Sequence, residues 1–394
     1  MLYGQHWECI ITSLHIMNKS LCLAPWNHIQ INAEGVVNPC CMFYPTVYHK
    51  KYNNLQEAFD GSENKDLRQR MLNGEKIEGC HKCDLYESLN KFSYREYFKM
   101  HYDKSTFKNP KIRELEFALD NTCNFKCLTC NSRFSSKWYD DDLELIEAGI
   151  PRNSQAIKTK TKILKNVNNL DDLDLSELKF LKLIGGEPFI NDKYIDILKK
   201  INLENLELAL ITNNSVFPKR WIEHILKVNQ LSLRISIDGV YDVGEFVRNG
   251  MNFKKFTKNL IQWKELSEEH NNIDIKFNFV VHSLNILNLK STIVYLKDLG
   301  FVIDVNHTKD EILEVDFLNE PEYINLSYLP DRLKNIVEEK LDFSLNGKRD
   351  MIVKFMYSNN HDEEMMKTFF KYCIFLEQRK AIPEECEFIV NNAL

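Results

Sequence analysis

The sequence predicts an α/β fold built on a parallel array of strands, with a metal-ordered segment before it and a helical extension after it. Three observations carry this expectation. From residue 112 onward, short apolar runs alternate with helix-like segments, the sequence form of repeated strand–helix units. Glycines and small polar residues gather directly after several of those runs, where such folds collect ligands. Nine of the eleven cysteines lie in the first third of the chain, at positions 9, 22, 40, 41, 80, 83, 123, 127 and 130.

In order, the N-terminal unit is taken as residues 1–108; to about residue 105 it shows no sustained helical or strand period, and it contains a loop-like stretch, WNHIQINAEGVVNPCCMFYP, punctuated by Gly35, Pro39 and Pro45. Something other than an apolar core is expected to order this segment. The strands are then expected at 112–119, 178–184, 206–212, 231–237, 273–281 and 301–307, with helices near 134–147, 191–201, 218–228, 253–269 and 286–298. An open sheet and a partial barrel both fit, and this unit is taken as residues 109–320. Residues 321–394 form the extension, with helical pattern at 329–341 and 361–373.

A chain of 394 residues that is 44% hydrophobic can bury a full core and a smaller second unit. Its formal net charge of −6, with the signs interspersed, argues against a phosphate-binding surface, so no nucleic-acid partner is expected. No stretch approaches the roughly 20 apolar residues of a membrane span, and MLYGQHWECI lacks the basic-then-apolar order of a secretory signal. A cytoplasmic location follows as the expectation. In a reducing compartment the cysteines read as metal ligands before disulfides.

Directly after the first barrel strand comes DNTCNFKCLTCNSRF, in which Cys123, Cys127 and Cys130 are spaced CxxxCxxC. Three thiolates hold three irons of a 4Fe-4S cluster and leave the fourth open, whereas an electron-carrying cluster normally takes four cysteines. A zinc loop with a distant fourth ligand is the other reading, although such loops favour CxxC pairs. The second strand ends in LKLIGGEPFI, placing Gly185, Gly186, Glu187 and Pro188 where a ligand approaches. Glycines permit close backbone approach, and edge peptide groups with a carboxylate suit the ammonium of an amino-acid-like ligand.

Cysteine loop and GGEP together, each at a strand end, resemble the radical S-adenosylmethionine (SAM) superfamily over about residues 112–310. The resemblance implies a partial (β/α)6 barrel in which the methionine end of SAM chelates the open iron. It also implies reductive cleavage of SAM to a 5'-deoxyadenosyl radical that abstracts hydrogen from a substrate. By the same analogy Thr212 and Asn213 after the third strand, and Ser236 and Asp238 after the fourth, are cofactor contacts. Arg248 resembles an arginine that recurs in peptide-modifying members, and Asn278 with Val281 on the fifth strand would flank the adenine.

Upstream, Cys22, Cys40, Cys80 and Cys83 supply four ligands, and CLAPWNHIQINAEGVVNPCC resembles the auxiliary-cluster regions called SPASM and twitch. Those regions usually follow the barrel; here the pattern precedes it. Full ligation implies a second 4Fe-4S cluster that conducts electrons; taken alone, the set fits zinc equally well. Cys41 competes with Cys40, which fits the Gly-x4-Cys form from Gly35. His28 and His81 are spare donors. Cys373 and Cys386 read as buried and inert, although a thiol returns hydrogen to product in an epimerising enzyme.

The expected activity is oxidation, cross-linking or epimerisation of a peptide or protein side chain, with flavodoxin or ferredoxin as electron donor. A sugar or aminocyclitol substrate is the enzyme alternative. A non-catalytic zinc-binding adaptor is the alternative of another class; it would need neither GGEP nor the polar strand ends.

Overall fold

In the computed structural model, the described residues are 19–43, 54–88, 92–152, 170–303, 312–318, 320–341 and 347–393. The described residues form ten strands: β1 His28–Ile31, β2 Val37–Asn38, β3 Glu114–Ala118, β4 Lys126–Cys127, β5 Phe180–Ile184, β6 Glu207–Thr212, β7 Gln230–Ser236, β8 Arg248–Asn249, β9 Ile273–Val281 and β10 Leu313–Phe317. Eight of them make one sheet in the order β10-β9-β7-β6-β5-β3-β1-β2, and β4 pairs with β8 in a separate ribbon.

Every pairing in the large sheet is parallel except β1 with β2. From β3 to β10 the strands lie side by side in chain order. A doubly wound sheet would reverse that order at a switch point, so the singly wound succession is that of a partial (β/α)6 barrel. The N-terminal segment extends the same sheet: β1 docks parallel on β3, pairing Gln30 with Glu116. Preceding the barrel in sequence, it occupies the edge beside the first barrel strand.

Strand alternation sorts the two faces. Leu181, Leu183, Leu208, Leu210, Leu231, Leu233, Phe277 and Phe279 are fully buried on one face, and the helix Phe253–Glu269 packs against β9 with Phe256, Leu260 and Trp263 buried. Asn252 caps that helix by accepting from Lys255 N at 2.9 Å. The inner face is polar, with Glu116, Lys182, Ser232, Arg234, Lys276, Asn278 and Glu314 sharing one parity through the register. A capping box between Ser93 and Glu96 starts the helix Tyr94–His101. That helix closes the foot of the inner face, since the hydroxyls of Tyr97 and, just beyond it, Tyr102 donate to Glu114 at 3.1 and 2.8 Å.

Two expectations need correction. The sixth barrel strand is Leu313–Phe317, which pairs with β9. Of the segment 301–307, residues 301–303 are not strand and the remainder lies outside the described residues. Both segments alternate apolar and polar residues, and only pairing decides between them. The N-terminal segment is also more regular than its composition suggested. It carries helices Leu55–Asp60, Ser62–Leu72 and His81–Ser88 and its own apolar cluster, with Leu21, Leu23, Trp26, Leu67, Met71, Ile77 and Phe98 buried together. The apolar residues come from short elements far apart in sequence, which leaves no period to read. In the extension, helices Gly347–Met356 and Glu384–Asn392 join the expected pair, seen as Asp331–Lys340 and Glu363–Glu377. Among the described residues no helix is long and apolar enough to cross a membrane.

Candidate active site

The loop after β3 is held from all sides. Cys127 pairs with Arg248 in the β4–β8 ribbon, and Leu128 N donates to Val247 O at 2.8 Å. Trp138 Nε1 donates to Cys127 O at 3.0 Å, and Arg152 Nη2 to Cys130 O at 2.5 Å. Arg152 is itself fixed by Asp142 at 2.5 Å and Tyr323 at 3.1 Å and stacks on Trp138. Asp142 in turn accepts from Ser132 N at 2.7 Å. Sequence reading missed Trp138, Asp142, Arg152 and Tyr323, because they act on the loop backbone or on one another and carry no motif of their own.

Packing explains GGEP before any ligand does. A Cβ on Gly186 would lie 2.0 Å from Thr122 O, and Gly185 has φ +131° with a Cβ position 2.8 Å from Asp120 O. This approach lets Glu187 N donate to Thr122 O at 2.9 Å. Pro188 opens a short 3-10 turn, Pro188–Ile190. Phe189, next in line, wedges between Trp221 and Trp263, its ring centroid 5.1 and 5.7 Å from theirs.

The Glu187 carboxylate is buried and already accepts three protein donors: Thr212 Oγ1 at 2.8 Å, Asn213 N at 2.6 Å and Phe189 N at 3.1 Å. Burial raises its pKa, and these donors pull the other way. The carboxylate therefore orients the third-strand end, and the half-buried backbone of Gly185 and Gly186 is the part of GGEP left open. Asn213 Nδ2 donates to Asn124 Oδ1 at 2.9 Å and lies 3.9 Å from Cys123 Sγ, tying that strand end to the cysteine loop.

Asp238 and Arg248 form a buried pair at 2.5 Å, and Asp238 Oδ1 accepts from Val280 N at 2.9 Å. Arg248 is thus no surface cation. Its charge acts on Cys127 and Cys123, and among the described residues its buried Nε has no partner. Ser236 is half-buried and in register with Asn278, whose Nδ2 donates to Asp316 at 2.6 Å. Val281 does not share a face with Asn278. It stands three residues on and is buried on the apolar side, as the two-residue period of a strand requires.

The four upstream cysteines converge. Cys22 interacts electrostatically with Cys80 and Cys83, and Cys40 with Cys22 and Cys80. Burial pushes the Cys22 thiol up to about 12 and Cys80 to about 11. Arg95, paired with Asp84 at 2.6 Å and Glu87 at 2.8 Å, lies beside them. Gly79 is required there, because a Cβ would meet the Phe43 ring at 2.4 Å. His28 Nδ1 bonds Pro39 O at 3.0 Å and His81 Nδ1 bonds Glu78 O at 3.3 Å, so neither turns that nitrogen to a metal. Cys373 is buried in the extension, and Cys386 Sγ donates to Leu284 O at 2.9 Å.

Both thiol sets fit multi-iron cores. In the cysteine loop Cys130 interacts with Cys127 and Cys123, and burial pushes Cys127 up to about 12 and the other two in the same direction. Buried neutral thiols become ligands when a cationic core displaces their protons. Among the described residues no three His, Cys, Asp or Glu side chains close in as tightly as a single ion requires. Within each set the thiols lie within electrostatic reach of one another.

Comparison with known proteins agrees with this geometry. Residues 119–282 match the model of the radical SAM superfamily, and residues 22–84 match SPASM, an iron–sulfur cluster-binding domain. The chain carries a radical SAM domain. These domains imply SAM with a 4Fe-4S cluster, for which Cys123, Cys127 and Cys130 are the candidate ligands, and an auxiliary iron–sulfur cluster in the SPASM-type segment. A curated relative, the probable GTP 3',8-cyclase of Methanocaldococcus jannaschii, is 23% identical over 254 residues, 61% of this chain and 74% of the relative. Similar solved radical SAM chains include anSMEcpe with bound AdoMet and a Cp18Cys peptide, at 18% identity and TM-score 0.35, covering 58% of this chain and 59% of that one. Streptococcus suis SuiB bound to S-adenosylmethionine is 12% identical at TM-score 0.34, covering 72% of this chain and 60% of that one. This radical SAM chain therefore spans under two thirds of the length of those two structures.

Proposed function

We propose that this protein is a radical SAM enzyme that modifies an unactivated carbon of a peptide or protein side chain by oxidation, cross-linking or epimerisation. The observation that carries the reading is the fusion of four strand ends into one bonded unit. Thr122 O receives Glu187 N, Glu187 holds Thr212 and Asn213, Asn213 reaches Asn124, and Arg248 pairs with both Cys127 and Asp238. A passive zinc loop has no use for that unit. When bound, the cluster and SAM supply a 5'-deoxyadenosyl radical that takes a hydrogen atom from substrate.

The chain's own residues do the rest. The open peptide groups of Gly185 and Gly186 offer hydrogen bonds to the amino-acid end of SAM, and Arg248 places a fixed positive charge beside the thiolates. On the inner face, Lys182 with Glu116 at 3.2 Å, Arg234 with Glu314 at 2.7 Å and Asn278 with Asp316 at 2.6 Å offer both charges to a substrate. This mixed lining suits a peptide backbone with polar side chains. The helix Tyr94–His101 closes the floor against water. Residues 1–108, 109–320 and 321–394 would then serve as cluster segment, barrel and extension, with a flavodoxin- or ferredoxin-like donor supplying electrons.

A second reading, a small polar molecule as substrate, draws support from the similarity to a probable GTP 3',8-cyclase. The test is anaerobic reconstitution followed by reductive turnover with SAM, in the presence of synthetic peptide pools and, separately, of GTP. Peptide-dependent stimulation of 5'-deoxyadenosine with a mass change in a peptide supports the first reading. Stimulation by GTP alone replaces it with the second.

A further inference from the structure

Charge on the inner face changes with depth. Through the register Lys182 stands level with Asp274, Arg234 with Lys276, Glu314 with Asn278, and Asp316 with Val280. Below the strand ends the charges cancel, with Lys182 on Glu116 and Arg234 on Glu314. Glu207 and Asp274 share the same parity but lie near the N-terminal ends of β6 and β9, farthest from the cysteine loop. Asp316 stands at the uppermost of these levels and is exposed. Among the described residues no cation pairs with it, and its side chain takes one hydrogen bond, from the neutral amide of Asn278 at 2.6 Å. Arg234 is occupied by Glu314, and Lys276 lies four residues before Val280, about 13 Å along β9.

That carboxylate stands next to the cofactor site. Val280, its neighbour across the sheet, donates N to Asp238 Oδ1 at 2.9 Å. Asp238 is paired with Arg248, which is in register with Cys127 of the radical SAM loop. Asp316 is thus one strand spacing, about 5 Å, from the residue that ties β9 to that loop. Tyr86, on the helix His81–Ser88 of the upstream segment, is exposed and within electrostatic reach of Asp316. A carboxylate with one open oxygen and a phenol ring nearby suits a cation. The neutral pairs below it leave the net charge at this level negative.

Resting on the function proposed above, we propose that Asp316 sets the substrate specificity of this enzyme by pairing with a cationic side chain, lysine or arginine, of the peptide it modifies. The cation sits at the mouth of the inner face, beside the radical SAM loop. The modified carbon therefore lies in that lysine or arginine or in a residue adjacent to it. The same negative charge disfavours a nucleoside triphosphate at this level, which separates the peptide reading from that of GTP.

The experiment uses reconstituted holoenzyme in reductive turnover with SAM and N-acetylated, C-amidated peptide pools that differ at one fixed residue: lysine, Nε-acetyl-lysine or glutamate. Peptide-dependent 5'-deoxyadenosine and peptide mass are read. The lysine pool should exceed the acetyl-lysine pool in kcat/KM by roughly tenfold or more, the worth of a hydrogen bond between charged groups. The glutamate pool should rank last. Asp316→Asn should erase the preference for lysine, the loss appearing in KM more than in kcat, and Asp316→Lys should turn the preference toward glutamate. Equal stimulation by the lysine and acetyl-lysine pools in the wild type overturns this inference and leaves the peptide reading standing. A preference for lysine that survives in Asp316→Asn does the same. Should the variants fail to load iron, carbodiimide cross-linking of wild-type holoenzyme to the lysine pool decides: an amide formed at Asp316 supports the pairing, and coupling confined to other carboxylates overturns it. A wild type that cleaves SAM and is stimulated by no peptide pool brings down the proposed function, and this inference with it.

Discussion

Gly186 and Thr122 are packed so closely that the space for a Cβ is taken by the Thr122 carbonyl oxygen, 2.0 Å away. The GGEP turn and the cysteine loop thus form one structure. Gly186→Ala should lower the iron bound by the cysteine loop and abolish SAM cleavage, while leaving the iron of the upstream set in place. Iron analysis and 5'-deoxyadenosine formation check this; full loading and activity in the variant would show the contact to be dispensable.

Glu187 is predicted to act through its neighbours. Glu187→Gln keeps the shape but turns one acceptor into a donor facing Thr212 Oγ1 or Asn213 N, so the third-strand end should shift. Leaving buried partners unpaired costs about 1–3 kcal/mol, and the apparent KM for SAM should rise roughly 5–150-fold on that basis. An unchanged KM in a folded variant would contradict the assigned contacts.

Arg152 should tune the radical SAM cluster. Its cation is bonded to the Cys130 carbonyl and buried. Removing it in Arg152→Met makes adding an electron harder by roughly 1–2 kcal/mol at an effective dielectric near 20, several tens of millivolts for one electron. An EPR-monitored redox titration should show a lower midpoint, with Arg152→Lys closer to wild type. Equal potentials in all three would confine the residue to holding the loop in place.

His282 gives a pH signature. It is buried at the end of β9, accepts from Leu284 N at 3.2 Å through Nδ1, and burial lowers its pKa from 6.5 to about 4, with Asp238 partly offsetting the shift. The unfolded chain binds this proton first, so stability falls as the pH drops from about 6.5 toward 4, by on the order of 3 kcal/mol at full protonation. Above pH 6.5 both states are neutral and the contribution is absent. Denaturant unfolding of wild type and His282→Asn should give stabilities that converge, or cross, on acidification through that window; parallel curves would contradict the assignment.

Much of the barrel could be read in advance, because β9 alternates apolar and polar residues from Ile273 to Phe279 and Phe253–Glu269 has one apolar face. The cysteine loop and GGEP were legible as spacing at strand ends. What spacing hides is which group a side chain serves. Glu187 looked like a ligand contact and holds backbone, Val281 looked like a partner of Asn278 and faces the other way, and Arg152 comes from a segment with no motif. Cys40 and Cys41 are adjacent in sequence, and the packing of the segment after β2, which pairs with β1, separates their surroundings.

Iron and labile sulfide per chain after anaerobic reconstitution, measured for the wild type and for Cys123→Ala/Cys127→Ala/Cys130→Ala alongside SAM cleavage, test the central claim most directly. The account predicts about eight irons in the wild type, about four in the variant, and 5'-deoxyadenosine from the wild type alone. Zinc in place of iron, with no cleavage of SAM, would contradict it.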